Sequence, residues 1–150
     1  MTIKTQIQSD WKDALKSREK AKSSVLSMVK SAILYAEKDA HVSELPDEKI
    51  IEILAREVKM RRDAVVEFEK GHRDDLVEQN IFEIETLLSY LPKQLKEQEI
   101  IELVENTAKE IGANNMKDMG KLMAALKPLT TGKADGKLVS SLVKEYLSKN

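Results

Sequence analysis

The sequence predicts an all-α protein, and three observations on its composition and spacing lead to that prediction. The chain has 5 glycines and 3 prolines among 150 residues, well below the average share of these turn-forming residues. Charged residues make up 34% and aromatic residues 4% of the chain, a balance typical of amphipathic helices with solvated outer faces. No segment alternates apolar and polar residues as a half-buried strand would, which argues against sandwiches and barrels.

The N-terminal part is predicted to form four helices, because its apolar residues recur at intervals of three and four. The third helix begins at Pro46, since proline suits the first helical position, and it ends at Gly71. The turn that follows is short, so we expect the third and fourth helices to form an antiparallel hairpin. The predicted helices or apolar stripes span about 2–17, about 20–39, Pro46–Gly71 and Val77–Leu91.

Arg61 interrupts the apolar stripe of the third helix between Val58 and Val65. Such an arginine either packs its stem and points its guanidinium to solvent or pairs with an acidic residue of the facing helix. In both cases we predict a structural role. The candidate acidic partners are Glu78, Glu83 and Glu85.

Pro92 is the predicted boundary between an N-terminal part, 1–91, and a C-terminal domain, 92–150. Proline lacks an amide hydrogen and keeps the preceding residue out of helical geometry. Beyond it we expect three shorter helices, the first of them closed by Gly112. Their apolar stripes span Ile100–Ile111, Met116–Leu126 and Leu138–Tyr146.

The middle one of these helices is rich in methionine. Asn115, followed by Asp118, resembles a capping arrangement at its start. Methionine usually fills cores, but a methionine-rich face also serves as an adaptable surface for a partner protein, and both interpretations stay open. The predicted face consists of Met116, Met119, Met123 and Leu126.

Charge is divided unevenly, although the net charge of the whole chain is only −1. Residues 1–91 carry 15 basic and 18 acidic side chains, whereas residues 92–150 carry 10 and 8. From Gly112 onward there are seven lysines and three acidic residues. A nearly neutral chain gives no overall sign of nucleic-acid binding, so the local surplus of lysines is the informative feature.

The sequence shows no constellation of catalytic or metal-binding residues. Its lack of cysteine excludes thiol chemistry and Cys-ligated metals, and both histidines, His41 and His72, fall in predicted loops. Gly132–Leu138 superficially resembles a phosphate-binding loop, but its glycine spacing is wrong and no strand precedes it. We predict no catalytic residue, no cofactor and no metal. Without a signal peptide or an apolar run long enough to span a membrane, we expect a cytoplasmic protein with no membrane partner.

Lysines of the C-terminal domain form a predicted nucleic-acid-binding surface. Lys117 and Lys121 are one helical turn apart, and lysines and serines recur on one face of the last helix. Such a surface suits contact with phosphates without reading of bases, and a merely solvated face is the alternative interpretation. The predicted binding residues are Lys117, Lys121, Lys133, Gly136, Lys137, Ser141 and Lys144.

The Gly132–Gly136 turn belongs to this surface. Asp135 is the predicted N-cap of the last helix, and Lys133 and Lys137 flank the N-terminus of that helix. Free amide groups and the helix dipole favour an anion there, although a capping carboxylate already occupies part of the positive end. Capping alone and capping together with a phosphate contact both stay open.

Four segments resemble YqeY proteins, which are small stand-alone bacterial members of the GatB/YqeY domain family. Their order and spacing match the family over nearly the whole chain, and the last two segments are the most specific. Pro46 and Lys96 depart from the pattern, because capping serines are expected there. The four segments are Phe68–Val77, Tyr90–Leu95, Met116–Lys121 and Gly132–Val139.

The resemblance implies a bundle-like N-terminal part and a small three-helix C-terminal domain. That domain is similar to the tail of the B subunit of tRNA-dependent amidotransferases, carbon–nitrogen ligases that use glutamine as the amido-nitrogen donor. In those enzymes the tail helps to hold the tRNA, and the catalytic domains have no counterpart in this chain. We therefore expect a non-catalytic accessory module that binds tRNA or a tRNA-like RNA by backbone and shape. The alternative is a helical protein–protein adaptor for an amidotransferase or a synthetase, and a self-sufficient enzyme ranks third.

Overall fold

The computed structural model describes residues 1–149 and confirms the all-α prediction. Within those residues it contains seven α-helices, one 3-10 turn and no strand. The first three helices begin and end within one residue of the predicted positions. The elements are α1 (Ile3–Lys16), α2 (Lys20–Ala40), α3 (Asp47–Lys70), α4 (Asp74–Leu88), α5 (Glu97–Ile111), the 3-10 turn Met116–Asp118, α6 (Met119–Thr130) and α7 (Gly136–Lys149).

The chain divides into two compact units, one from Met1 to Leu91 and a second that begins at Pro92. Each unit buries its own apolar core, contributed by residues three or four apart on its helices. The first core consists of Ile7, Val25, Leu26, Val29, Ile33, Ile50, Leu54, Val58 and Leu87. The second consists of Ile100, Val104, Ala108, Ala113, Leu122, Leu126, Val139, Leu142, Val143 and Leu147.

The first unit is built from two helical hairpins, α1–α2 and α3–α4. Helix α2 packs against both α3 and α4, which places the hairpins side by side. The buried carboxylate of Glu37 accepts hydrogen bonds from Lys4 Nζ at 2.8 Å and from the amide of Leu45 at 3.0 Å. Because one carboxylate serves both partners, it fastens the α2–α3 loop and the start of α1 to α2.

The end of α3 differs in detail from the prediction. The helix ends at Lys70, but Gly71 has a φ of −86°, and the left-handed residue is His72, with a φ of 56°. The amide of Arg73 donates to the carbonyl of Phe68 at 2.9 Å, which closes a Schellman motif. A left-handed conformation costs a non-glycine residue about 1–2 kcal/mol, so packing of the hairpin sets this turn against local preference.

The fourth helix begins and ends three residues before its predicted stripe. Helix α4 ends at Leu88, so Leu91 lies beyond it. Pro92 keeps Leu91 out of helical geometry, and the amide of Leu91 donates to the carbonyl of Leu88 at 3.1 Å. Leu91 still packs against the first core, which explains why its spacing matched the helical stripe.

Arg61 pairs across the α3–α4 hairpin. Its side chain is buried, and Nε donates to Glu83 Oε1 at 2.8 Å. Nη1 donates to the carboxylate of Glu57 at 3.2 Å and to the carbonyl of the same residue at 3.1 Å. Of the two interpretations left open by the sequence, pairing with a facing acidic residue is confirmed, and Glu83 is the partner.

The hydroxyl of Tyr90 donates to Asp10 Oδ2 at 2.5 Å and links the end of the first unit to α1. Burial of the phenol raises the pKa of Tyr90 above its ordinary value of 10.0, and the hydrogen bond to the Asp10 carboxylate raises it further. The protonated phenol is therefore favoured in the folded protein. Its contribution to stability is complete below the unfolded pKa and is lost as pH rises toward the folded pKa.

We expect the advantage of the wild-type chain over Tyr90→Phe to decline above about pH 10, because only the wild-type chain has this phenol to ionise. Urea unfolding of both proteins at about pH 8 and at about pH 11 measures the difference in free energy. A difference that stays constant between the two pH values would contradict the role assigned to the Tyr90–Asp10 hydrogen bond.

Candidate nucleic-acid interface

The turn between α6 and α7 has the capping geometry that the sequence predicted. Gly132 is left-handed, with a φ of 76°, a conformation that glycine adopts without steric cost. The amide of Lys133 donates to the carbonyl of Thr130 at 2.9 Å. The side chain of Asp135 accepts from the amide of Lys137 at 3.1 Å, as an N-cap does.

The same turn is fastened to the segment that follows Pro92. Gln94 Nε2 donates to the carbonyl of Gly132 at 2.7 Å and to that of Pro92 at 3.0 Å. The amide of Leu95 donates to the carbonyl of Lys133 at 2.8 Å. No local pattern in the sequence indicates this contact of Gln94, because its partner lies 38 residues away. The two segments were singled out separately by the family resemblance, and the structure brings them together.

We expect Gln94→Ala to destabilise the second unit by about 1–2 kcal/mol, because two carbonyls lose a donor in a partly buried place. Urea unfolding followed by the circular dichroism of the helices measures the loss. Gln98→Ala is the matched control, since Gln98 is exposed on the first turn of α5. Equal stability of the two variants would show that Gln94 does not hold the turn.

The candidate residues of α7 share one exposed face. Lys137, Ser141 and Lys144 are all exposed, as is Gly136 at the start of the helix. The opposite face is buried and packs into the second core through Val139, Leu142, Val143 and Leu147. The predicted lysine-and-hydroxyl face of the last helix is therefore accessible along its length.

Lys117 lies near the opposite end of that surface. The side chain of Asn115 accepts from the amide of Lys117 at 2.9 Å and caps the 3-10 turn. Ser148 Oγ lies 3.8 Å from Met116 Sδ, so this turn adjoins the C-terminal end of α7. Lys121, on the first turn of α6, is exposed.

Lys117, Lys133, Lys137 and Lys144 therefore form a row along α7, and Lys121 lies on the first turn of α6. Lys133 and Lys137 lie at the N-terminal end of α7, and Lys117 lies near its C-terminal end. Position 148 is eleven residues further along the chain than position 137, which corresponds to about 16 Å along a helix axis at about 1.5 Å per residue. A row of this length can contact several successive phosphates of a nucleic-acid strand.

Three of the four residues of the predicted methionine face lie against the second core, and Met116 does not. Leu126 is buried, and Met119 and Met123 are partly buried and pack against the core. Met116 is exposed, because it lies in the 3-10 turn before the helix begins. Such a turn has about 3.0 residues per turn and not the 3.6 of an α-helix, so spacing counted across it does not define one face. Asp118 also differs from the prediction, since its side chain accepts from the amide of Asn114.

The row of lysines has few internal counter-charges. Within residues 1–149, Lys117, Lys121, Lys133 and Lys144 make no ion pair. Lys149 pairs with Glu145 at 3.3 Å on the exposed end of α7. Lysines without a carboxylate partner keep their full charge for an anionic ligand.

Other kinds of site find no support in the described part of the chain. Residues 1–149 hold no group of three or more acidic or histidine side chains arranged to bind a metal ion. None of the described helices has the length and apolar character required to cross a bilayer. His41 and His72 are both exposed in connections between helices, as predicted.

Comparison with known proteins gives two findings. A family model described as "Yqey-like protein" matches residues 4–147. A protein of the fission yeast Schizosaccharomyces pombe, described as uncharacterized, is 35% identical over 81 residues, which is 54% of this chain and 65% of that protein. The matched stretch thus covers just under two thirds of the yeast protein, whose description names no activity or ligand.

Proposed function

The chain belongs to the YqeY-like family, and from that premise we propose that it is a non-catalytic accessory module that binds tRNA or a tRNA-like RNA through its second unit. The observation that carries the proposal is the row of lysines along α7 and its two flanking turns, in which Lys117, Lys137 and Lys144 are exposed and Lys133 is half-buried. Its proposed contacts are Lys117, Lys121, Lys133, Gly136, Lys137, Ser141 and Lys144.

The chemistry of this row favours recognition of a phosphate backbone. Lysines and a serine hydroxyl contact phosphates but carry little information about bases. The one aromatic residue of the second unit is Tyr146, and it packs against the core. Because unpaired bases need an exposed aromatic surface to stack on, the surface suits the backbone and shape of a folded RNA.

The cellular setting that we propose follows from the family resemblance. The second unit would act in the cytoplasm beside tRNA-dependent amidotransferases, the carbon–nitrogen ligases whose B subunit carries a similar tail. The chain would contribute RNA binding to such a system, and the chemistry would reside in other proteins. No residue of the row is assigned a catalytic role.

Binding of the intact chain to total tRNA at increasing salt concentration tests the proposal. The logarithm of the binding constant should fall linearly with the logarithm of salt concentration, because each neutralised phosphate releases counterions. Fluorescence anisotropy of labelled tRNA gives the constants. Absence of binding even at about 50 mM salt, where electrostatic contacts are strongest, would refute the proposal.

A helical adaptor for an amidotransferase or a synthetase is the second candidate function. One observation favours it: the first unit exposes large apolar side chains, among them Met28, Tyr35 and Phe82. Apolar and aromatic surface of this kind is typical of the centre of protein interfaces. A protein complex that survives high salt, found together with no binding of tRNA at low salt, would favour the adaptor.

A further inference from the structure

Exposed apolar side chains are concentrated in the first unit. Of the twelve large apolar residues that are well exposed in positions 1–149, ten belong to it. Two groups stand out, because their members are close together. Leu15 and Met28 line one groove between α1 and α2, whereas Ile81 and Phe82 are neighbours on the outer side of α4.

The groove between α1 and α2 has a volume of about 440 Å³. Its apolar walls are Trp11 and Leu15 from α1 and Met28 from α2. Serines of α2 also line it, and their small side chains leave the space open. Lys30 Nζ lies 3.4 Å from the centre of the Trp11 ring, which holds the indole in place at the edge of the groove. The lining serines are Ser23, Ser24, Ser27 and Ser31.

The end of the groove at the α1–α2 turn is strongly basic. Between positions 12 and 22 there are five basic residues and two acidic ones, Asp13 and Glu19. In the described part of the chain none of the five forms an ion pair. An occupant of the groove therefore needs apolar side chains surrounded by negative charge. The five basic residues are Lys12, Lys16, Arg18, Lys20 and Lys22.

Helix α4 of the same chain has these properties. Positions 74–88 contain five acidic residues and no basic one. Glu78 and Glu85 are exposed beside Ile81 and Phe82, because residues three or four apart share a helix face. The two halves of the first unit also differ in charge. Residues 1–40 carry a net charge of +3, and residues 41–91 carry a net charge of −6.

We propose that two copies of this chain associate through their first units, with α4 of each copy lying in the α1–α2 groove of the other. Ile81 and Phe82 fill the apolar part of the groove, and Glu78 and Glu85 face the basic rim. The interface is isologous, since each copy supplies one groove and one α4.

The positions of the two surfaces within one unit support a twofold arrangement. Met28 lines the groove, and its Sδ lies 4.0 Å from Arg61 Nη2. Arg61 in turn bonds to Glu83 on α4, so the groove and α4 lie next to each other. A twofold axis between adjacent complementary surfaces forms both contacts at once. A phosphate backbone would use the lysines but would leave Leu15 and Met28 exposed, so the observations favour a protein occupant over RNA.

Sedimentation equilibrium of the full chain at about 50 mM salt tests the proposal. We expect a dimer whose dissociation constant rises at least tenfold at about 500 mM salt, because exposed charges are then screened. Lys12→Glu together with Lys16→Glu should raise the dissociation constant of the dimer at least tenfold. Glu78→Lys together with Glu85→Lys should raise it by a similar factor. Lys109→Glu, on the exposed side of α5, is the control and should leave it unchanged.

Mixing the two double variants gives the sharpest result. Within a dimer of either double variant, the groove and the α4 that it meets carry charges of the same sign. In a mixed dimer each groove meets an α4 of opposite charge, so dimers should form again. A wild-type chain that stays monomeric up to about 1 mM, or a mixture that stays monomeric, would overturn the proposal. It would also be overturned if the groove double variant lost tRNA binding while wild-type chain remained a monomer, since RNA would then be the occupant.

Discussion

Reversal of four lysines, Lys117→Glu, Lys121→Glu, Lys133→Glu and Lys137→Glu together, is expected to raise the Kd for total tRNA by about 100-fold or more at about 50 mM salt. Lys133 and Lys137 lie at one end of the row and Lys117 lies at the other, so Lys144 is the one proposed lysine contact that keeps its charge. Carboxylates in their place repel phosphates and release no counterions from the RNA. Anisotropy titrations with the intact variant measure the loss.

A control with the same change in net charge separates a local site from a general effect of charge. Lys38, Lys49, Lys59 and Lys70 are exposed on the first unit, and their joint replacement by glutamate should raise the Kd less than about fivefold. Equal losses in the two quadruple variants would contradict the assignment of the site to the second unit. Circular dichroism of both variants checks that the helices are intact.

Arg61→Ala is expected to destabilise the first unit by about 3 kcal/mol, because it leaves the carboxylates of Glu57 and Glu83 partly buried without their cation. The carboxylates keep some exposure to water, which places the loss at the lower end of the range for broken buried pairs. For a unit of this size the transition should move down by roughly 10–20 °C. The fluorescence of Trp11 follows unfolding of the first unit specifically, since Trp11 is the one tryptophan of the chain and lies in that unit.

Arg61→Met distinguishes a structural from a binding role. Methionine fills a similar volume without charge, so when combined with Glu57→Gln and Glu83→Gln it should recover much of the lost stability. Binding of tRNA should stay within about twofold of wild type in every folded Arg61 variant. Unchanged stability of Arg61→Met together with loss of partner binding would show that the structural assignment is wrong.

The fold was predictable because its determinants are local. The stripes that define α1 and α2 are visible in the spacing of residues such as Ile7, Val25 and Val29, and they are the residues that the structure buries. The pairing of Arg61 was foreseen only as one of two possibilities, because the choice depends on which acidic side chain the facing helix presents. The three-helix C-terminal domain followed from spacing and from the family resemblance together.

The candidate site was predictable only in part. The exposed face of α7 and the capping role of Asp135 depend on helical periodicity and short-range geometry, so the sequence sufficed. The contact of Gln94 with Gly132 depends on how distant segments fold together, and no local signal encodes it. Met116 departs from the predicted methionine face because it lies in a 3-10 turn, whose residue spacing differs from that of the helix that follows.

The salt dependence of tRNA binding, compared between the wild-type chain and the quadruple variant at Lys117, Lys121, Lys133 and Lys137, tests whether these lysines bind RNA. If these lysines neutralise phosphates, the slope of log Kobs against log salt should become shallower by about three to four units, roughly one for each lost contact. Equal slopes for the two proteins would contradict the claim that this row of lysines is the surface that binds RNA.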